Sequence, residues 1–154
     1  MTRPTSADHK WMTLAIELAY QCPLSPGAFS VGAVIVDQRG EEISRGYSRE
    51  TDSHVHAEES ALAKLAIDDP CLKAATIYST LEPCSQRKSR PRTCTQPILA
   101  AGIPRVVMAW REPSLFVADC QGYELLVNAG VVVVEIPDPA KDAQAPNAHL
   151  SLES

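Results

Sequence analysis

His56, Glu58, Cys84 and Cys94 are residues whose types and spacing could do chemistry. One imidazole and two thiolates make a three-ligand set for Zn2+. Structural zinc sites close four protein ligands around the metal, whereas catalytic sites use three and leave a position for water. Bound zinc lowers the pKa of that water to about 7, so a hydroxide nucleophile is available near neutral pH. Glu58, two residues beyond His56, is left over to move protons. The set suits a hydrolysis by a metal-activated water. The competing reading uses His54 as a fourth ligand, which would close a structural site and leave no room for chemistry.

These residues must be brought together by the elements around them. His56 and Glu58 would point about 200° apart in the middle of a helix, so they can share a site only at a helix N-terminus. The polar loop over residues 48–55 places His56 there, ahead of a helix predicted over residues 56–67. Cys84 follows a strand predicted at 75–80, and Cys94 opens a helix predicted at 94–101 with Gly102 as its C-cap. Metal and helix dipole both favour the thiolate forms of the two cysteines.

Around that centre the periodicities give an amphipathic helix at 8–21, a buried strand at 31–36, a turn at Gln38–Gly40 and a second strand at 42–47. A strand at 105–110, a helix at 121–129 capped by Gly130, and a strand at 131–136 complete the pattern. Short links across strand, helix and strand imply a parallel crossover. The expected architecture is α/β: three αβα layers about a five-stranded mixed sheet whose fourth and fifth strands are parallel. Residues 1–137 form one zinc-dependent domain in this reading. Residues 138–154, rich in Pro, Ala and polar residues without a period, are expected to be disordered.

A chain of 154 residues with 45% hydrophobic and 21% charged residues is ordinary for one globular domain. Its net charge of −5 argues against a general nucleic-acid binder. No apolar run approaches the roughly 20 residues of a membrane span, and the first ten residues lack the apolar core of a signal peptide. Cys22, Cys71 and Cys120 show no paired spacing, so reduced thiols in a cytoplasmic protein are expected.

The order His56-Ala57-Glu58, Pro83-Cys84, Cys94 resembles the cytidine deaminase-like superfamily of zinc nucleobase deaminases. Nine residues separate the two cysteines, unlike the C-x-x-C of most cytidine, deoxycytidylate and tRNA-adenosine deaminases. The riboflavin-pathway pyrimidine deaminases carry a similar insertion in a similar context. Here that context reads Thr80-Leu81-Glu82-Pro83-Cys84-Ser85, with Val31-Gly32-Ala33-Val34-Ile35-Val36 and Ala100-Ala101-Gly102-Ile103 also shared. The parallel ending of the sheet is similar to that branch and to the deoxycytidylate deaminases. Two motifs depart from it. Ala28-Phe29-Ser30 stands where the riboflavin-pathway enzymes usually have Asn-Pro, and Gln86 stands where they usually have His.

The resemblance implies a zinc-dependent aminohydrolase acting on an aminopyrimidine: a riboflavin precursor, a nucleoside or a nucleotide-like compound. It implies His56, Cys84 and Cys94 as ligands, and Glu58 as the proton carrier. Phe29, Ser30, His54, Ala57, Gln86, Arg90, Arg92 and Trp110 are the candidate substrate contacts. Arg87, Lys88, Arg90 and Arg92, with no acid between Ser85 and Thr95, could receive a substrate phosphate. The relatives are generally dimers, so a homodimer joined through the helices at 94–101 and 121–129 is expected. The alternatives are a nucleic-acid editing deaminase and a non-catalytic zinc-stabilised binding module.

Overall fold

The computed structural model describes residues 4–25, 29–66, 68–83, 95–110, 122–136 and 140–150. Helix α1 (Ser6–Ala19) opens two residues before the periodicity places it. Thr5 and Asp8 form a reciprocal capping box, with the Asp8 N–H donating to Thr5 Oγ1 and the Thr5 N–H donating to Asp8. Strands β1 (Gly32–Val36) and β2 (Glu42–Tyr47) pair as an antiparallel hairpin. Helix α2 (Ala57–Ala63) follows; it is shorter than the pattern suggested and ends at Lys64. A 3₁₀ turn over Pro70–Ala74, initiated by the Asp69 carboxylate on the Cys71 N–H, leads into β3 (Thr76–Leu81).

Helix α3 (Thr95–Ala101), strand β4 (Arg105–Trp110), helix α4 (Gly122–Asn128) and strand β5 (Val132–Glu135) complete the sheet. Its order is β2-β1-β3-β4-β5. β1 is antiparallel to both neighbours, and β3, β4 and β5 are mutually parallel. The mixed five-stranded sheet with parallel fourth and fifth strands is as the sequence implied.

Two glycines mark where helices rest on the sheet. A Cβ on Gly32 would lie 1.8 Å from the Ala15 carbonyl of α1, and one on Gly46 would lie 2.7 Å from the Ala57 carbonyl of α2. Gly46 pairs with Ala33 rather than with Gly32, so the two positions face opposite sides of the pleat. α1 therefore covers one face and α2 the other. α3 packs on α2 and α4 on α3, which gives the three αβα layers.

Residues 140–150 differ from the structureless tail that composition suggests. They form a short helix, α5 (Ala140–Gln144), and a 3₁₀ segment, Ala145–Leu150. α5 contacts α1, β3 and β4, with Ala143 fully buried. A side-chain amide explains the order. Asn147 is fully buried and bonds both backbone polar groups of Ser30, a tie across the fold that no local periodicity can reveal.

One buried ion pair fastens the α1 face. The Arg105 guanidinium donates to both oxygens of Asp8 at 2.8 and 2.7 Å, and the Tyr78 hydroxyl donates to Asp8 at 2.7 Å. Burial pushes the Asp8 carboxyl up, but Arg105, the Thr5 N–H and Tyr78 outweigh it and hold the group well below the usual carboxylate range. A depressed native pKa stabilises the fold above the unfolded value of about 3.9, and that contribution is lost as pH falls below it. Arg105→Met should cost about 3 kcal/mol at pH 7, the low end for a broken buried pair because Arg105 is partly exposed. Thermal melts from pH 7 down to pH 3 should show the gap from wild type narrowing as Asp8, still buried but no longer held down by Arg105, takes up a proton in the folded variant while the wild-type carboxylate stays ionised. A gap below about 1 kcal/mol at pH 7, the worth of an exposed pair, would show that the pair is only decorative.

Candidate active site

The topology brings the described candidates to one end of the sheet. β1 begins where β3 ends, because the two are antiparallel; the Gly32 N–H donates to Thr80 Oγ1 at 3.2 Å. β4 runs parallel to β3 and ends beside it, with Leu81 opposite Trp110. β2 also ends here, since Tyr47 pairs with Gly32. Phe29 and Ser30, Glu82 and Pro83, Trp110, and the loop leading to His56 thus share one edge. In open α/β sheets, ligands bind outside the carboxyl ends of the parallel strands, which is this edge.

His56 is the N-cap of α2, with extended backbone (φ −91°, ψ 160°). Its N–H donates to Glu59 at 3.2 Å and its carbonyl accepts the first helical bond from Ser60. Asp52 shapes the approach by accepting from the His54 N–H at 2.8 Å. Glu58 sits in the first turn of α2 and is only 4% exposed. Glutamates are seldom buried this far unless held by partners or put to use. Ala57 between them is fully buried against the Gly46 contact, where a larger side chain has no room. His56 and Glu58 therefore flank the helix start, the arrangement that their spacing requires.

The strand end that delivers residue 84 is held from two sides. The Glu82 N–H donates to the Trp110 carbonyl at 2.9 Å. The buried Glu82 carboxylate accepts from the Tyr123 N–H at 2.8 Å, at the start of α4. A Cβ on Gly122 would fall 1.8 Å from the Pro83 carbonyl, so α4 abuts the Pro83 backbone directly. Sequence reasoning gave Glu82 no role; its signal was its place one residue before Pro83-Cys84.

Phe29 and Ser30 are buried, and the Phe29 ring meets Trp110 edge to face with centroids 5.6 Å apart. The Trp110 indole N–H is buried with no hydrogen-bond partner among the described residues. His54 lies exposed on the loop before the helix. Cys84, Gln86, Arg90, Arg92 and Cys94 fall outside the described residues. No group of three potential metal ligands occurs among the described residues, which contain only His56 of the proposed set. The described half of the site fits zinc on donor chemistry: an imidazole stands at a helix start with a buried carboxylate in the first turn.

A separate cavity of about 300 Å³ lies at the opposite end of the sheet, lined by Asp37, Arg39, Pro70 and Cys71. The Asp69 charge pushes the Cys71 thiol up, which weakens it as a nucleophile. The edge carrying His56 and Glu58 is the better candidate because it brings an imidazole and a buried carboxylate to one helix start.

Residues 5–110 match the model of the cytidine and deoxycytidylate deaminase zinc-binding region. The chain belongs to that family. Diaminohydroxyphosphoribosylamino-pyrimidine deaminase of Schizosaccharomyces pombe is 44% identical over 82% of this chain and 31% of its own length. Cytosine deaminase of Candida albicans is 31% identical over 87% of this chain and 83% of its own. Among solved structures, Acinetobacter baumannii RibD superposes with a TM-score of 0.78 at 32% identity, covering 94% of this chain and 39% of that one. The chain spans about a third of the length of the first curated relatives it matches. The zinc of this deaminase family agrees with the cofactor read from His56, Cys84 and Cys94. No helix among the described residues is long and apolar enough to cross a membrane.

Proposed function

We propose that this chain is a zinc-dependent aminohydrolase that releases ammonia from a phosphoribosylamino-substituted aminopyrimidine. The observation that carries the reading is the buried Glu58 in the first turn of the helix that His56 caps. The similarity to the Schizosaccharomyces pombe deaminase supplies the substrate class. His56, Cys84 and Cys94 would hold zinc, which when bound supplies an acidified water.

Glu58 carries the protons. It accepts one from the attacking water and delivers it to the ring nitrogen as the C–O bond forms. It then takes up the remaining proton from the newly formed C–OH and passes it to the exocyclic amine, which leaves as ammonia as the C–N bond breaks and the carbonyl forms. One water is consumed and one carbonyl is made, with no net gain or loss of protons at the carboxylate. Phe29 and Trp110 offer an aromatic wall for the ring, with Ser30 and Ala57 beside it; His54 and Gln86 would be further substrate contacts. Arg90 and Arg92 would take the phosphate. We assign the protein to the cytoplasm as a homodimer, serving a small molecule rather than nucleic acid or a membrane. The exposed Leu99 on α3 and Leu125 and Val127 on α4 support the dimer, since these neighbouring helices present apolar surface.

The test is ammonia release from a panel of free bases, nucleosides, nucleotides and phosphoribosylaminopyrimidines. Turnover of the last class alone is expected. Arg90→Ala with Arg92→Ala should raise KM for the phosphorylated compound by about tenfold, the worth of one charge-assisted contact, and leave its dephosphorylated form nearly unaffected. Turnover of cytosine instead would move the assignment toward the Candida albicans relative.

A further inference from the structure

The C-terminal segment reaches back to the start of β1 through a single side chain. At Asn147 the helical run kinks (φ −108°, ψ 16°). Its Oδ1 accepts from the Ser30 N–H at 2.5 Å, and its Nδ2 donates to the Ser30 carbonyl at 3.0 Å. One amide thus satisfies both backbone groups of one residue, as a neighbouring strand would. The amide is fully buried, so water cannot replace it cheaply.

Ser30 is also gripped from the other side. Arg49 donates to Ser30 Oγ at 3.0 Å, to the Phe29 carbonyl at 3.0 Å and to the Pro23 carbonyl at 2.9 Å. Arg49 does so from a left-handed backbone conformation (φ 61°), which residues other than glycine seldom adopt. Its own N–H donates to the carbonyl of Val55, the residue before His56, at 2.8 Å. A continuous chain of bonds therefore runs from Asn147 through Ser30 and Arg49 to the helix start carrying His56 and Glu58. Phe29, adjacent to the clasped residue, is the edge-on partner of Trp110, whose buried indole N–H is unpaired among the described residues.

We infer that Asn147 is a positioning residue: by clasping Ser30 it sets the Phe29–Trp110 wall at its working distance from His56 and Glu58. This rests on the deaminase reading, in which that wall receives the pyrimidine ring. A clasp acting on the wall should govern how well substrate binds and leave the proton transfers at Glu58 largely untouched.

Asn147→Ala tests it in the zinc-loaded protein, assayed well below the melting temperature. KM for the phosphoribosylaminopyrimidine should rise about tenfold, the equivalent of one to two lost hydrogen bonds, with kcat changed less than about twofold. Arg105→Met is the control, since it destabilises the fold from the opposite end of β4 to Trp110 and should leave KM alone. Asn147→Asp keeps the acceptor for the Ser30 N–H and loses the donor, so its KM should also rise. A second readout needs no turnover. In a Trp11→Phe background, Asn147→Ala should shift Trp110 emission to longer wavelength and increase its quenching by acrylamide, while Arg105→Met should do neither. Unchanged Trp110 emission overturns the clasp, whatever the substrate proves to be. An unchanged KM, or a KM rise shared equally by Arg105→Met, overturns it as well. Wild-type protein inactive on the whole panel would count against the deaminase reading, with the fluorescence arm still deciding the inference.

Discussion

Glu58→Gln is expected to fold, retain its zinc and lose between about a hundredfold and ten-thousandfold in kcat, the span that general acid–base groups contribute. The amide keeps the shape of the buried side chain and its capacity to hydrogen-bond, so the first turn of α2 need not rearrange. What it cannot do is accept a proton and return it. Because the loss falls on proton transfer, KM should move far less than kcat. Steady-state ammonia release, with zinc content measured on the same sample, checks the prediction. Retention of more than about a tenth of the wild-type rate would remove Glu58 from the mechanism, because no general acid–base group of that worth is lost.

The second large effect concerns the metal. Purified protein should hold one zinc per chain, and Cys84→Ala should lose it together with all measurable turnover. Removing an outer-sphere partner costs about 10–100-fold in affinity, so loss of a ligand should cost more. The melting temperature should fall too, because binding at the folded site stabilises the native state. His54→Ala separates the catalytic from the structural reading. With three ligands the variant keeps its zinc; as a fourth ligand His54 could not be removed without metal loss. His54 stands exposed on the loop, two residues ahead of the helix start, which favours the first outcome. Stoichiometric zinc in purified Cys84→Ala would overturn the ligand assignment.

The sheet was legible because its strands announce themselves. Residues 31–36 form an unbroken apolar run, and β1 is buried along its whole length. Gly130 and Gly102 closed helices where left-handed backbone was required, and both adopt positive φ. His56 and Glu58 were legible together, since a two-residue spacing admits a shared site only at a helix end. The Asn147 clasp was not, because it joins residues 117 apart through one side chain in a segment whose composition reads as polar linker. Arg49 escaped notice for a related reason. Its role depends on a left-handed conformation that nothing in the neighbouring residues demands. α1 begins two residues earlier than its apolar spacing predicts, because the Thr5–Asp8 box caps it.

The Asp8–Arg105–Tyr78 cluster also bears on which sheet this chain can build. β3 and β4 lie inside the sheet and are buried almost throughout, so both of their faces are covered. Alternation of polar and apolar residues, which penalises a slipped strand elsewhere, gives little discrimination between these two. A two-residue slide of β4 would keep its hydrophobic residues covered, yet it would carry Arg105 away from Thr76 and from the carboxylate 97 positions earlier in the chain. Asp8 would then be sealed in with a phenol as its remaining side-chain partner. Misaligned sheets are thus raised in energy by an orphaned charge, and the ion pair acts as an alignment key for the two strands whose ends shape the pocket.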